Sequence, residues 1–392
     1  MCYNADDAQD KAQRNIRYLI TTQMKESVTI EQISSSENDS VDDFPNVANI
    51  EIRGDEETEK QSAAVISTDA GRKIVFYDFV MAVEIVLFHM EIRYRYSIVE
   101  DFCYVALFFY FFMSGFMCFK NHHFEPRTTI TKRIRTIIVP YVLWNLIAMM
   151  IFGIIYVDIG FHSFKQFLIR MLIDPFDLPT WYLLTLFLFV LLTPFIHSMF
   201  RRRITTVCMI LIAVAVNCLG WIFFREMLTS EYIWGEYLVR MALYFPAFVL
   251  GCFCGVHLKR FVNTGGIISS ILGICGFAVI TMIMLFLSID LWLKTILYFV
   301  WFICTWMMIP PKVFAGAEFL KPNTGFTFFL FATHIMIIPF SEMLINGSTL
   351  LHMTGRVILT IAFSVIAYFL MKILLPSSLG VLTGNRAKSG KY

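Results

Sequence analysis

The sequence predicts an all-α membrane protein: a polytopic bundle of about ten transmembrane helices behind a flexible, hydrophilic N-terminal extension. Three observations support this fold class. The chain is 57% hydrophobic and only 16% charged, whereas a soluble domain carries about 25% charged residues. Runs of roughly twenty apolar residues, enough to cross a hydrocarbon layer about 30 Å thick, recur after residue 73. Basic residues gather in the short connections between these runs.

The chain divides into three predicted parts: a polar acidic extension (1–70), a membrane domain (71–380) and a basic tail (381–392). Stretches such as ISSSENDSVDD hold too few apolar residues to offset the entropy of ordering, so we expect the extension to be largely disordered and cytoplasmic. The predicted spans lie near residues 74–92, 102–119, 136–157, 180–199, 204–224, 237–256, 264–287, 291–309, 324–343 and 355–376.

The orientation of these spans follows from the basic residues. If the chain starts in the cytoplasm, every second connection returns there, and those connections carry the Lys and Arg clusters. The clusters are Lys132-Arg133-Arg135, Arg201-Arg202-Arg203, Lys259-Arg260, Lys312 with Lys321, and Arg386, Lys388 and Lys391. We therefore expect an integral protein of the plasma membrane with both termini in the cytoplasm.

His89 is the ionisable residue nearest the far end of the first span, FYDFVMAVEIVLFHM. It follows Lys73 by a distance of about 24 Å along a helix, which corresponds to the outer half of the membrane. A charged side chain at that depth costs about 2.5–3.5 kcal/mol, so its presence favours a functional role. Neutral imidazole is suited to act as a general base near neutral pH. The alternative is a packed histidine bonded to a backbone carbonyl.

The motifs after His89 come in an order that resembles a known family. The second span contains Ser114-Gly115-Phe116, and the basic stretch KRIRTIIVPY leads into the third span, with Arg133 seven residues before Pro140. Together with the histidine at the end of the first span, this arrangement resembles the acyltransferase-3 family of integral membrane O-acyltransferases. The resemblance covers about residues 72–376.

The resemblance implies an activity and a co-substrate. A membrane-bound enzyme of this kind transfers an acyl group, here expected to be acetyl, from cytoplasmic acyl-CoA to a hydroxyl of a cell-surface polysaccharide or its lipid-linked precursor. His89 is the expected general base. Arg133, Arg135 and Lys73 are the expected ligands of the coenzyme A phosphates, since arginine forms forked hydrogen bonds with phosphate. Arg133 could equally serve as an ordinary positive anchor.

Other residues match the family only in part. The family places an arginine eleven residues before its histidine, and this position is Asp78 here. Either Arg72 or Lys73 replaces that arginine, or the activity is altered. Trp181 resembles the opening of the family's fourth span, and Arg240 precedes a stretch similar to its sixth. We expect Asp78, Trp181 and Arg240 to contact the substrate.

His334 ends the stretch FLFATH, which resembles a late motif of the same family. This residue either assists His89 in catalysis or packs in the core, and the sequence leaves both readings open. We expect no metal site, because adjacent residues such as His122 and His123 cannot both face one ion from a helix. No nucleic-acid motif is present, and the sequence does not predict an oligomeric state.

A transporter or flippase for a solute or a lipid-linked glycan is the alternative function. Charged residues inside spans also line transport paths, and Asp78, Glu84 and Lys294 are compatible with that use. Against it, the chain shows no internal repeat of the kind that many transporters have.

The predicted topology can be tested with reporter fusions. A reporter fused after Arg203 and one fused after Lys391 should both report a cytoplasmic location, because basic connections stay inside. An external signal from either fusion would mean that the number of spans before it is wrong.

Overall fold

The computed structural model describes residues 66–90, 97–119, 124–155, 178–227, 233–287, 289, 291–317, 320, 324–347 and 349–385. In this part of the chain the secondary structure is helical, and no strand is present. The all-α prediction is therefore confirmed. Most of the predicted extension, up to residue 65, and the tail after residue 385 lie outside the described residues, so the proposed three-part division stays a prediction.

The longer helices coincide in position with the predicted apolar runs. The helices are α1 (Thr68–Phe88), α2 (Ser97–Cys118), α3 (Pro126–Arg133), α4 (Val139–Ile155), α5 (Trp181–Leu191), α6 (Thr193–Met199), α7 (Arg203–Met227), α8 (Ile233–His257), α9 (Ile267–Phe286), α10 (Leu291–Met308), α11 (Thr324–Leu344), α12 (Leu350–Leu374) and α13 (Pro376–Leu382). The short α3 lies outside the predicted runs, and the short α13 begins only where the last of them ends.

The predicted count of about ten spans is not confirmed. Among the described residues, seven helices are long and apolar enough to cross a membrane, or eight if the bent pair α5–α6 is one span. Helix α1 is not among them because it carries five charged residues: Asp69, Arg72, Lys73, Asp78 and Glu84. The apolar part of α10 is shorter than the others.

Contacts along α1 fix the directions of its neighbours. Tyr110 bonds the backbone of Asp78, and Cys103 bonds the backbone of Glu84, so α2 runs antiparallel to α1. Phe79 stacks on Phe326 near the start of α11, so α11 runs parallel to α1. These directions are the ones that spans alternating across a bilayer require.

Small residues allow α2 and α8 to approach closely, and their contact is the most extensive between described elements. A Cβ atom at Gly115 would collide with the backbone of Phe248, and one at Gly251 with the backbone of Phe112. Gly255 lies one turn further along α8, against the backbone of Phe116. Glycines four residues apart form the packing stripe that lets membrane helices touch through their backbones.

Proline accounts for two irregular stretches. The helix between α3 and α4 is wound as a π-helix over Ile134–Ile138, just before Pro140, which has no backbone N–H to donate. Helices α5 and α6 meet at an angle of 47°, where Pro194 interrupts the hydrogen-bond ladder.

The contact between α2 and α8 predicts a difference between two glycine-to-alanine variants. Gly251→Ala forces a methyl group into the Phe112 backbone, so it should lower thermal stability by an amount typical of overpacking, about 1–3 kcal/mol.

Gly71→Ala is the matched control, because a Cβ at this helical position meets nothing within 4 Å and alanine is the better helix former. Thermal unfolding of both purified variants in detergent checks the comparison. Equal melting temperatures would contradict close backbone contact at Gly251.

Candidate functional site

Two histidines meet where α1 ends. His89 follows the last residue of α1 and forms its C-cap. Its ring centroid lies 5.1 Å from that of His334 on α11, and the two rings are inclined by 47°. His334 is fully buried, while His89 is half-buried. The fold thus brings together the two histidines that the sequence had placed in separate motifs.

His334 has one bonded and one unbonded ring nitrogen. Its Nδ1 lies 2.7 Å from the carbonyl oxygen of Phe331 and 3.2 Å from that of Leu330. Its Nε2 is buried and has no hydrogen-bond partner among the described residues. A polar atom left in this state is costly in a protein interior.

Asp78 occupies the position of the family's arginine on the opposite half of α1. One of its carboxylate oxygens accepts a hydrogen bond from the hydroxyl of Thr327 on α11, and its backbone carbonyl accepts one from Tyr110 at 2.8 Å. One hydroxyl thus donates to the carboxylate of Asp78 and a second donates to its backbone carbonyl. Position 78 joins α1, α2 and α11 through polar contacts.

Lys73 and Arg72 do not face the same way as Asp78. The Lys73 ammonium is fully buried, 4.1 Å from the ring centroid of Trp306 on α10, and Nζ has no hydrogen-bond partner among the described residues. A cation over an indole face at this distance is an attractive pair. Arg72 donates to the carbonyl of Phe314 at 3.1 Å. Both cations thus contact α10 and the turn after it, whereas Asp78 contacts α11.

Trp181 and Arg240 form a second pair. The guanidinium carbon of Arg240 lies 5.2 Å from the ring centroid of Trp181. Trp181 also contacts the ring of Tyr244 at 5.9 Å, and Tyr244 stacks on Phe111 at 5.1 Å. The two expected substrate residues therefore share one wall of aromatic side chains between α2, α5 and α8.

Ser114 lies in the same part of the bundle. Its hydroxyl is 3.3 Å from that of Tyr182, the residue after Trp181. Tyr182 in turn contacts the ring of Phe331, one turn from His334, at 5.8 Å. Tyr182 links the second-span motif to the late histidine motif, a role that its position beside Trp181 in the sequence did not reveal.

Arg133 and Arg135 lie at the other end of α2. Nη2 of Arg133 is 3.9 Å from Sγ of Cys118, the last residue of α2, and Arg135 is exposed. Phe88, beside His89, instead contacts Tyr104 near the start of α2. Tyr104 and Cys118 are separated by about 21 Å along a helix. The arginines and the histidine pair are thus well apart along the bundle.

A buried ion pair between α2 and α10 was missed by sequence reasoning. Asp101 is 4% exposed, and the Lys294 ammonium lies 3.1 Å from its carboxylate. Tyr298 donates a second hydrogen bond to Asp101. The sequence does hold a signal for this pair, because opposite charges lie near the same end of two apolar segments, although Asp101 falls just before the predicted span 102–119.

The comparison with known families decides which kind of protein this is. The sequence profile of the acyltransferase-3 family, described as an acyltransferase domain, matches residues 74–369. The chain belongs to the acyltransferase-3 family. No curated protein and no solved structure shows a significant match to it.

Membership in the acyltransferase-3 family supports a membrane acyltransferase. The match begins at Ile74, so Arg72 and Lys73 lie just outside it, while both histidines lie within it. Among the described residues, no group of three His, Cys, Asp or Glu side chains is arranged to hold a metal ion.

Proposed function

We propose that this acyltransferase moves an acyl group, acetyl in the simplest case, from cytoplasmic acyl-CoA to a hydroxyl of a cell-surface polysaccharide or its lipid-linked precursor. The observation that carries the proposal is the pairing of His89 with His334 inside the acyltransferase domain. The protein would act in the plasma membrane with both termini in the cytoplasm.

His89 acts as the general base. It takes the proton of the acceptor hydroxyl while the hydroxyl oxygen attacks the acyl carbonyl. The bond between the carbonyl carbon and sulfur breaks, and the protonated imidazole returns the proton to the departing thiolate. Direct transfer needs no covalent intermediate on the enzyme, and Ser114, which is hydrogen-bonded to Tyr182, serves as a positioning hydroxyl.

The distance between the arginines and the histidines fits a long donor. Coenzyme A carries its thioester at the end of an extended pantetheine arm, far from its phosphates. Arg133 and Arg135 would hold the phosphates at one end of the bundle, while the thioester reaches His89 deeper in the membrane. Lys73, which was predicted to bind the phosphates as well, is buried against Trp306 and would act on them only at a distance, by adding positive charge at the arginine end of α1.

The aromatic wall supports a sugar-like acceptor. Trp181 is only partly buried and would offer an aromatic face to a sugar ring, with buried Tyr244 supporting it from behind, and Arg240 beside it would supply hydrogen-bond donors. Asp78 would contact the acceptor from the opposite side, with its carboxylate held by the hydroxyl of Thr327. The negative charge of Asp78, where the family has an arginine, makes this region less suited to phosphate and better suited to hydroxyl groups.

Replacement of His89 tests the proposed chemistry. His89→Gln keeps a hydrogen-bonding side chain but cannot accept the proton, so acyl transfer should fall by about 10²–10⁴-fold. The measurement is transfer of radiolabelled acetyl from acetyl-CoA into the glycan fraction of membranes that contain equal amounts of each variant.

His257→Gln is the control, because His257 is exposed at the end of α8 and should leave the rate unchanged. Acylation by His89→Gln at the wild-type rate would remove His89 from the reaction. Absence of label transfer even in the wild-type membranes would count against acetyl-CoA as donor.

The donor site generates a second prediction. Arg133→Ala should raise KM for acyl-CoA by roughly tenfold or more while kcat changes little, because the lost contacts bind the donor without touching the reacting atoms.

Arg127→Ala removes the same kind of side chain from an exposed position on the same helix and should leave KM unchanged. Steady-state kinetics with varied acyl-CoA separates the two. If both variants behave alike, Arg133 is an anchor of the helix and the phosphate site lies elsewhere.

A further inference from the structure

His334 carries a hydrogen on Nδ1. A backbone carbonyl can only accept a hydrogen bond, and Nδ1 lies within hydrogen-bond distance of two carbonyls of its own helix. In a neutral imidazole only one nitrogen bears a hydrogen, so Nε2 of His334 holds a lone pair and is an acceptor. The helix backbone therefore sets the tautomer.

This acceptor is buried and unused. Nε2 of His334 has no hydrogen-bond partner among the described residues, and the side chain as a whole is inaccessible to solvent. A buried acceptor without a partner costs stability, and such atoms need an explanation.

The ring of His89 is the polar group beside it. The ring centroids are 5.1 Å apart and inclined by 47°. His89 follows the last residue of α1. The separation of the two rings is compatible with a hydrogen bond from a ring N–H of His89 to Nε2 of His334 when the His89 ring turns toward that atom.

We propose that His334 is a positioning residue for His89: its Nε2 accepts a hydrogen bond from one ring nitrogen of His89 and leaves the other free to take the proton of the acceptor hydroxyl. The inference rests on the proposed role of His89. His334 itself exchanges no proton, since its Nδ1 keeps its hydrogen and donates it in a hydrogen bond to the carbonyl oxygen of Phe331.

The pair follows the logic of a catalytic triad with a neutral orienting group. In the Ser-His-Asp arrangement a carboxylate holds the histidine in one tautomer and stabilises its protonated form. A buried imidazole can do the same through a single hydrogen bond, without placing a negative charge in the membrane interior. The expected contribution is that of one hydrogen bond to a charged group, roughly 10- to 100-fold in kcat.

Three substitutions at His334 separate an acceptor role from a packing role. Gln is long enough to bring its amide oxygen near the position of Nε2, the shorter Asn reaches only that of Nδ1, and Leu offers no polar atom. We expect kcat to fall roughly 10- to 100-fold in His334→Asn and His334→Leu and much less in His334→Gln. KM for acyl-CoA should stay unchanged in all three.

Thr333→Val provides the control on the same helix. Thr333 is buried and bonds the carbonyl of Phe329, so its replacement disturbs α11 without touching the pair and should leave kcat near the wild-type value.

Equal losses in the Gln and Leu variants would overturn the acceptor role, as would wild-type rates in the Asn and Leu variants. If His89→Gln is fully active, it is the proposed function that fails.

A spectroscopic measurement covers the case in which a variant does not fold. In ¹⁵N-histidine-labelled wild-type protein, with the signal assigned by its loss in whichever of the His334 variants folds, the shifts of His334 should show a protonated Nδ1 and an unprotonated Nε2 at neutral pH. A protonated Nε2 would contradict the proposal.

Discussion

The rest of the structure depends on the placement of α1, a helix with five charged residues among its membrane-length neighbours. Each charged side chain in lipid costs about 2.5–3.5 kcal/mol, so α1 has to be enclosed by protein. Helices α2, α10 and α11 enclose it and offer specific partners: an indole face for Lys73, a hydroxyl for Asp78 and loop carbonyls for Arg72. The end of α1 then brings His89 against His334.

The close contact of α2 with α8 complements this enclosure. The glycines at 115, 251 and 255 bring two backbones together, so α2 is fixed on one side by α8 and bonds α1 through Tyr110 and Cys103 on the other. Because α2 is held in this way, three groups of side chains occupy defined levels along α2. They are the aromatic wall of Trp181 and Tyr244, the histidine pair and the arginines. The separation of the arginines from the histidines is what makes a long acyl donor the best match in our proposal.

Much of this arrangement follows from local sequence patterns. The apolar runs predicted the helix positions, and the order of motifs predicted the family, because both depend on residues near one another in the chain. The number of spans was harder to predict from the sequence. By composition and length, α1 is too charged and the apolar part of α10 is too short to count as membrane spans. Whether they cross the membrane depends on what surrounds them.

The residues of the candidate site were also predictable from the sequence, but the contacts between them were not. His89 and His334 could be selected separately, but their contact depends on α1 lying beside α11, which no local pattern encodes. The directions in which the side chains of α1 point could have been predicted from helix geometry. At about 100° per residue, positions 73 and 78 lie roughly 140° apart, so Lys73 was poorly placed to act at the position of Asp78. The bond between Ser114 and Tyr182 required the packing of α2 against α5.

The central claim is that His89 and His334 act as one unit, and a double-mutant cycle on kcat/KM tests it most directly. The cycle compares His89→Gln, His334→Leu and the double variant with the wild type. If the residues act together, the double variant should be no slower than His89→Gln alone, because His334 has nothing left to position. If the two losses multiply, the histidines work independently and their contact has no part in catalysis.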